Sequence, residues 1–175
     1  AILLAAAEKK VLLIEKKTYP FHKVCGEYIS KESIPFLESL GLQLEQQNLP
    51  EIKYLLSSSP SGIAIKRTLG IGGTGLSRYE LEQQLYKLVI KGGVSVLTNT
   101  EVKDIEKVQG RFKVSTSQEQ YYSKIAVGAF GKTSIIDVKL NRSFKATKKA
   151  ELYIAVKHHI RIDYDQSQVE MHTFP

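Results

Sequence analysis

The run KVLLIE, Lys10 to Glu15, constrains this chain more than any other stretch. Val11, Leu12, Leu13 and Ile14 leave no polar face, the pattern of a strand buried on both sides of a parallel sheet. The residues before it, AILLAAAEK, read as the C-terminal half of an apolar helix. A helix leading into a buried strand that ends in a carboxylate is the second half of a β-α-β unit. A carboxylate there can accept hydrogen bonds from the hydroxyls of a dinucleotide's ribose. Glu15 fits that role, and a strand-end glutamate in solvent is the competing reading. The glycine-rich turn of such a unit belongs about 20 residues earlier, ahead of residue 1. The abrupt start at AILL and the stop inside QVEMHTFP suggest a chain incomplete at both ends.

The remaining punctuation predicts more elements. A helix is expected over 31–40, KESIPFLESL, closed by Gly41. Residues 52–69 read as two strands around a Ser-Pro-Ser-Gly turn. Ser77 with Glu80 forms a capping box for a long helix, whose apolar stripe is Leu81, Leu85, Leu88 and Val89. KGG at 91–93 ends it. VSVL (94–97) reads as a second short buried strand. An antiparallel meander with a turn at Gln109-Gly110 follows and closes on a strand KIAVGAF. ELYIAVKHHIRI and QVEMHTF predict two final alternating strands. The expected fold class is α/β, α+β when the whole chain is counted.

Composition excludes several classes. At 42% hydrophobic and 25% charged, the chain has the composition of a soluble globular protein. No apolar run reaches the roughly 20 residues of a membrane span. A single cysteine permits no internal disulfide and suits a reducing, cytoplasmic setting. Four histidines and that cysteine show no metal-ligand spacing. The net charge of +7 raises the question of an anionic partner. Its densest zone, KLNRSFKATKK (139–149), lacks interleaved aromatics apart from Phe144, so a solvated connector is favoured over a nucleic-acid surface.

Two phosphate-loop patterns fail on inspection. GIGGTG (70–75) matches G-x-G-x-x-G between a strand and a helix, but the strand before it is half polar. The helix cap, Ser77, also comes after the last glycine, whereas a fingerprint helix starts within the motif. A flexible loop is expected there. AVGAFGKTS (126–134) ends in Gly-Lys-Thr, but Ala126 stands where a Walker loop needs its first glycine.

What survives carries a resemblance. VLLIEKKTYPFHKVCGEYIS resembles the segment of FAD-dependent oxidoreductases of the geranylgeranyl-reductase-like and halogenase-like branch of flavoprotein monooxygenases, with the glutathione-reductase-type FAD fold. There the ribose-binding glutamate is followed by a P-x-x-K-x-C-G element that wraps the flavin, matched here by Pro20, Lys23, Cys25 and Gly26. LSRYELEQQLYKLVIKGGVSVLTNTEV is similar to that family's next helix and T-x-V strand. The resemblance implies that Arg78 approaches the flavin pyrophosphate and ribityl chain, and that Val102 meets adenine through its backbone. VGAFGKTS stands where the family has G-A-D-G-x-x-S. Gly128, Ala129, Gly131 and Ser134 are kept, while Phe130 replaces the aspartate that binds ribityl hydroxyls. Glu8 occupies the place of a helix-ending glycine. The implied cofactor-binding residues are Glu15, Lys16, Lys23, Cys25, Gly26, Arg78, Val102, Gly128 and Gly131, with no metal ligand.

The resemblance also implies a division of the chain. Residues 1–50 and 77–145 would form the FAD/NAD(P)-binding Rossmann-like domain with its β-meander. Residues 51–76 and 146–175 would belong to an antiparallel substrate-binding sheet. The implied function is an FAD-dependent oxidoreductase, reductase or monooxygenase, acting on an apolar or isoprenoid-like small molecule. NAD(P)H and ferredoxin both stand as electron donors. No nucleic-acid partner or integral membrane segment is implied, and the oligomeric state stays open. Cys25 is expected as a compact, packed lining residue. No residue stands out as catalytic. His158, His159 and His172 lie on expected substrate-sheet strands, where alternation puts His158 and His159 on opposite faces. The alternative is a remnant of the same fold that binds a nucleotide or an acidic partner without chemistry.

Overall fold

The computed structural model describes residues 1–131, 134–141 and 154–174. Its parallel element forms where the apolar runs predict it: β1 (Leu12–Ile14) pairs with β5 (Ser95–Leu97), Leu13 opposite Val96. The pairing continues past both strand ends. Glu15 N–H donates to the Leu97 carbonyl at 2.8 Å, and Thr100 N–H to the Glu15 carbonyl at 3.0 Å. Thr100 is buried, its hydroxyl donating to the Thr98 carbonyl at 2.9 Å.

A four-stranded sheet has the order β2-β4-β3-β9: β2 (Tyr28–Ser30), β4 (Ala64–Gly75), β3 (Glu51–Ser58) and β9 (Gln168–His172). β9 runs parallel to β3, and the other neighbours are antiparallel. The meander β6 (Val102–Val108), β7 (Arg111–Thr116) and β8 (Gln120–Ser123) forms a third sheet. Gln109 and Gly110 both have positive φ, 47° and 78°, as the first type of two-residue hairpin turn requires.

Helices are closed by one recurring device. α2 (Ile34–Ser39) is followed by Gly41 at φ 103°, with Gly41 N–H on the Glu38 carbonyl at 2.8 Å and Leu42 N–H on that of Leu37 at 3.3 Å. α3 (Arg78–Lys91) ends the same way on Gly93, φ 76°. This is the Schellman pattern, which needs a left-handed residue. α1 (Ile2–Ala6) uses it too, but with Glu8 at φ 59°. At the other end of α3, Ser77 Oγ accepts from Glu80 N–H at 3.0 Å, the expected cap. A short helix α4 (Ile135–Lys139) is capped by Ser134 and lies by β6, with Lys139 Nζ donating to the Lys103 carbonyl at 3.1 Å. The core holds Leu42, Leu44, Leu76 and Leu81, packed by partly buried α2 and α3 residues such as Leu37, Leu85 and Leu88. Each fully buried leucine contributes about 2 kcal/mol.

Three expectations need correction. Residues 70–75 are not a loop: all lie within β4, between β2 and β3. Glycine suits that position because a Cβ on Gly73 would sit 2.4 Å from the Tyr28 ring and 2.6 Å from the Ile29 carbonyl oxygen. KIAVGAF forms no strand. Ile125 and Val127 are exposed, and the alternation finds no neighbouring strand among the described residues. ELYIAVKHHIRI likewise forms none over 154–162, where Ile154 is 93% exposed. Its residues 151–153, and most of the basic stretch 139–149, lie outside the described residues.

Candidate functional site

The exit of β1 is fixed by short-range bonds. Glu15 is half-buried, and its Oε1 accepts from Lys17 N–H at 3.0 Å. Asn99 N–H donates to the Lys17 carbonyl at 3.3 Å, which ties this turn to the end of β5. Lys16 is exposed beside it.

From that turn the chain runs through Tyr19 to Cys25 and lies along α3. Tyr19 stacks on Tyr86 with centroids 4.9 Å apart, and Phe21 carries the ammonium groups of Lys17 and Lys23 at 4.9 and 4.8 Å. Lys23 Nζ meets Glu82 Oε1 at 2.9 Å, and Arg78 Nε donates to the same oxygen at 2.8 Å. Arg78 and Glu82 stand one helical turn apart, so the guanidinium folds back along α3. Two residues that the sequence singled out separately, Lys23 and Arg78, therefore converge on one carboxylate. The Glu82 side chain is 8% exposed, while those of Lys23 and Arg78 are 39% and 34% exposed. Two cations against one anion leave a net positive charge here. Burial, reinforced by the charges of Glu15 and Glu82, pushes the Tyr19 hydroxyl up to about 12. Leu13, Tyr19, Arg78, Glu82, Leu85 and Tyr86 line part of a cavity of about 400 Å³.

A second cluster forms around Glu27, which the sequence reading passed over. Its backbone is left-handed, φ 58°, and this turns the carboxylate to the first amide of α3, where Arg78 N–H donates to Oε1 at 2.7 Å. Lys157 Nζ donates to the same oxygen, and His159 Nε2 lies 3.5 Å from Oε2. Burial pushes the Glu27 carboxyl up, but the hydrogen bonds of Lys157 and the Arg78 amide outweigh it and hold the group below the usual carboxylate range. His159 thus faces this cluster from a segment without strand structure, its ring 5.5 Å from that of His22. His158, also off any strand, is exposed.

Gly26, Glu27, Gly75, Ser77, Tyr164 and Glu170 line part of another cavity, of about 430 Å³. Cys25 is exposed rather than packed, because the loop turns its side chain outward; its Sγ accepts from Glu27 N–H at 3.4 Å. Val102 begins β6 opposite Thr116. Gly128 lies under Phe130, whose ring would be 2.5 Å from a Cβ there, and Gly131 has φ 78°. Among the described residues, no cluster of three or more metal-ligating side chains occurs, and no helix is long and apolar enough to cross a membrane.

No protein-family model and no curated protein matches the chain. Solved structures do match. Halogenase PltM in complex with phloroglucinol and FAD aligns with TM-score 0.65 at 12% identity, over 80% of this chain and 33% of that one. The Diels-Alderase PyrE3 of pyrroindomycin biosynthesis gives 0.63 at 16% identity, over 80% and 31%. A flavoprotein/dehydrogenase from Cytophaga hutchinsonii gives 0.55 at 16%, over 69% and 33%. The chain has their fold. At these identities the likeness concerns the fold alone, and the chain spans about a third of each neighbour's length. The α/β fold implied by the sequence resemblance is the one adopted.

Proposed function

We propose that this chain is the flavin-binding part of an FAD-dependent oxidoreductase, of the reductase or monooxygenase type. The convergence of Lys23 and Arg78 on buried Glu82, beside the β1 exit at Glu15, carries this reading. A dinucleotide needs acceptors for its ribose and cations for its pyrophosphate. Glu15 supplies the first, Arg78 with Lys23 the second, and Lys16 adds charge nearby. Gly26 and Gly75, on one wall of the second cavity, let backbone approach a flat ring. Val102, Gly128 and Gly131 complete the set as backbone contacts. The fit is incomplete at one place. Phe130, lying over Gly128, offers no acceptor for the ribityl hydroxyls.

When bound, FAD would supply the hydride or oxygen chemistry. The residues of this chain would bind and orient it. Residues 51–76 and the described part of 146–175 would present the sheet to an apolar or isoprenoid-like substrate, with NAD(P)H as the electron donor. The geranylgeranyl-reductase-like branch is part of this proposal and rests on the Pro20-to-Gly26 match.

The test is an absorbance spectrum of the purified protein between about 350 and 500 nm after FAD is added and the excess removed. Retained bands that weaken in Arg78→Met and Glu15→Gln are expected; a colourless full-length protein overturns the reading. The lost acceptor at Phe130 favours one rival, a nucleotide-binding remnant without redox chemistry. That rival predicts ADP binding at least as tight as FAD binding.

A further inference from the structure

One hydrogen-bonded chain in the four-stranded sheet has no part in holding a dinucleotide. β3 and β9 pair in parallel with Leu56 opposite Glu170 and Ser58 opposite His172. Side chains alternate along strands, so Ser58, Glu170 and His172 emerge on one face. There they connect. Ser58 Oγ lies 2.7 Å from His172 Nδ1, and His172 Nε2 lies 2.7 Å from Glu170 Oε2. Gln168 Nε2 fixes the other oxygen of Glu170 at 2.8 Å, and the Tyr164 hydroxyl bonds to the same carboxylate. Both ring nitrogens of His172 are therefore engaged, which sets its rotamer. Glu170, Gln168 and Tyr164 line the 430 Å³ cavity together with Gly26, whereas the His172 side chain is 40% exposed.

We propose that Ser58, His172 and Glu170 form a proton path from solvent to that cavity, with Glu170 as the group that meets the ligand. The reaction it serves rests on the flavoenzyme reading, but its geometry does not. A reduction that leaves an anionic carbon or oxygen in the cavity must be completed by a proton. The Glu170 O–H bond breaks as the ligand's C–H or O–H bond forms. The carboxylate regains its proton from His172 Nε2–H, while Nδ1 takes one from the Ser58 hydroxyl, which is refilled from water. The exposed imidazole then exchanges with water to restore Nε2–H. One proton passes from solvent to product, and no electron moves along the path. Burial together with the charges of Glu170 and Asp165 raises the Tyr164 hydroxyl above its ordinary value, so that phenol stays protonated beside Glu170. Lys66, opposite Leu56 across β3 and β4, lies over the Tyr54 ring at 4.6 Å and 3.7 Å from Asp165.

The experiment is side-chain NMR on the full chain without flavin, following carboxylate carbons and imidazole nitrogens through a pH titration. Neutral His172 is expected to carry its proton on Nε2. The Glu170 carboxylate carbon is expected to sense that proton, because His172 Nε2 and Glu170 Oε2 lie 2.7 Å apart. In His172→Gln that coupling is lost and the Glu170 carbon shift moves. Ser58→Ala keeps the coupling but changes the Nδ1 shift. Neutral His172 protonated on Nδ1, or a Glu170 carbon shift indifferent to His172→Gln, overturns the path. A protein that binds no FAD counts against the flavoenzyme reading instead, so the two failures are distinct.

Discussion

Replacing Glu8 by glycine should stabilise the protein. Glu8 holds the left-handed position at the end of α1, φ 59°, donating its N–H to the Ala5 carbonyl at 2.9 Å while Lys9 N–H reaches that of Leu4 at 2.9 Å. α2 and α3 close in the same way on Gly41 and Gly93. A side chain in this conformation costs about 1–2 kcal/mol, because Cβ crowds the following carbonyl. Glycine removes that cost but gives the unfolded chain more freedom, worth about 0.4–1 kcal/mol in the other direction. Glu8 is exposed, so little packing is lost with its side chain. The net gain is about 0.5–1 kcal/mol, or about 1–4 °C in melting temperature for a chain of this size. Urea denaturation of wild type, Glu8→Gly and Glu8→Ala measures it. Alanine keeps the left-handed cost and should stay near wild type. Equal stabilisation by alanine and glycine, or none by glycine, would refute the argument.

Glu82→Gln should cost about 2–3 kcal/mol in urea denaturation and weaken flavin retention. The loss stays below that for a fully buried pair because Lys23 and Arg78, 39% and 34% exposed, can turn to water. Glu27 has a lowered folded-state pKa, so its contribution is present above the ordinary glutamate value of about 4.3 and is lost as pH falls through the folded value. Glu27→Gln should therefore melt below wild type at neutral pH, and melting curves should converge in acid; a gap that persists at about pH 2–3 would contradict the assignment. Gly73→Ala should destabilise by about 1–3 kcal/mol, since the Ile29 carbonyl cannot yield to a Cβ at 2.6 Å. Gly70→Ala, with nothing within 4 Å, serves as its near-neutral control.

Local chemistry made much of this fold readable. KVLLIE and VSVL announced the parallel pair, Ser77 and Gly93 marked both ends of α3, and Gln109-Gly110 marked the hairpin. Reading failed where a pattern depended on a partner. KIAVGAF and residues 154–162 alternate like strands, yet their apolar residues meet no neighbouring strand among those described. GIGGTG looked like a loop because glycine is rare in strand interiors; at Gly73 the Tyr28 ring and the β2 backbone press too close for any side chain. At the site, Lys23 and Arg78 could be named from their motif, but their meeting point could not. Glu82 follows Arg78 by four residues, a visible helical pairing, whereas its burial and its bond to Lys23 depend on the path of the intervening chain. Glu27 was hidden for the same reason, since its partners Arg78 and Lys157 come from distant segments.

The parallel pair has a kinetic meaning as well. The meander closes through neighbouring residues, with Val108 opposite Arg111, and such contacts form early. β1 and β5 must instead find each other across the helix, the hairpin and most of the core between them, and only three residue pairs reward the search. Their junction, where Glu15 meets Leu97 and Thr100, is thus expected among the last contacts to close. A ligand gripping both sides of that seam would act as a clasp on the folded chain, adding about 2.7 kcal/mol at a concentration one hundred times its dissociation constant. The same residues that recognise a ligand would then govern how long the protein survives without one.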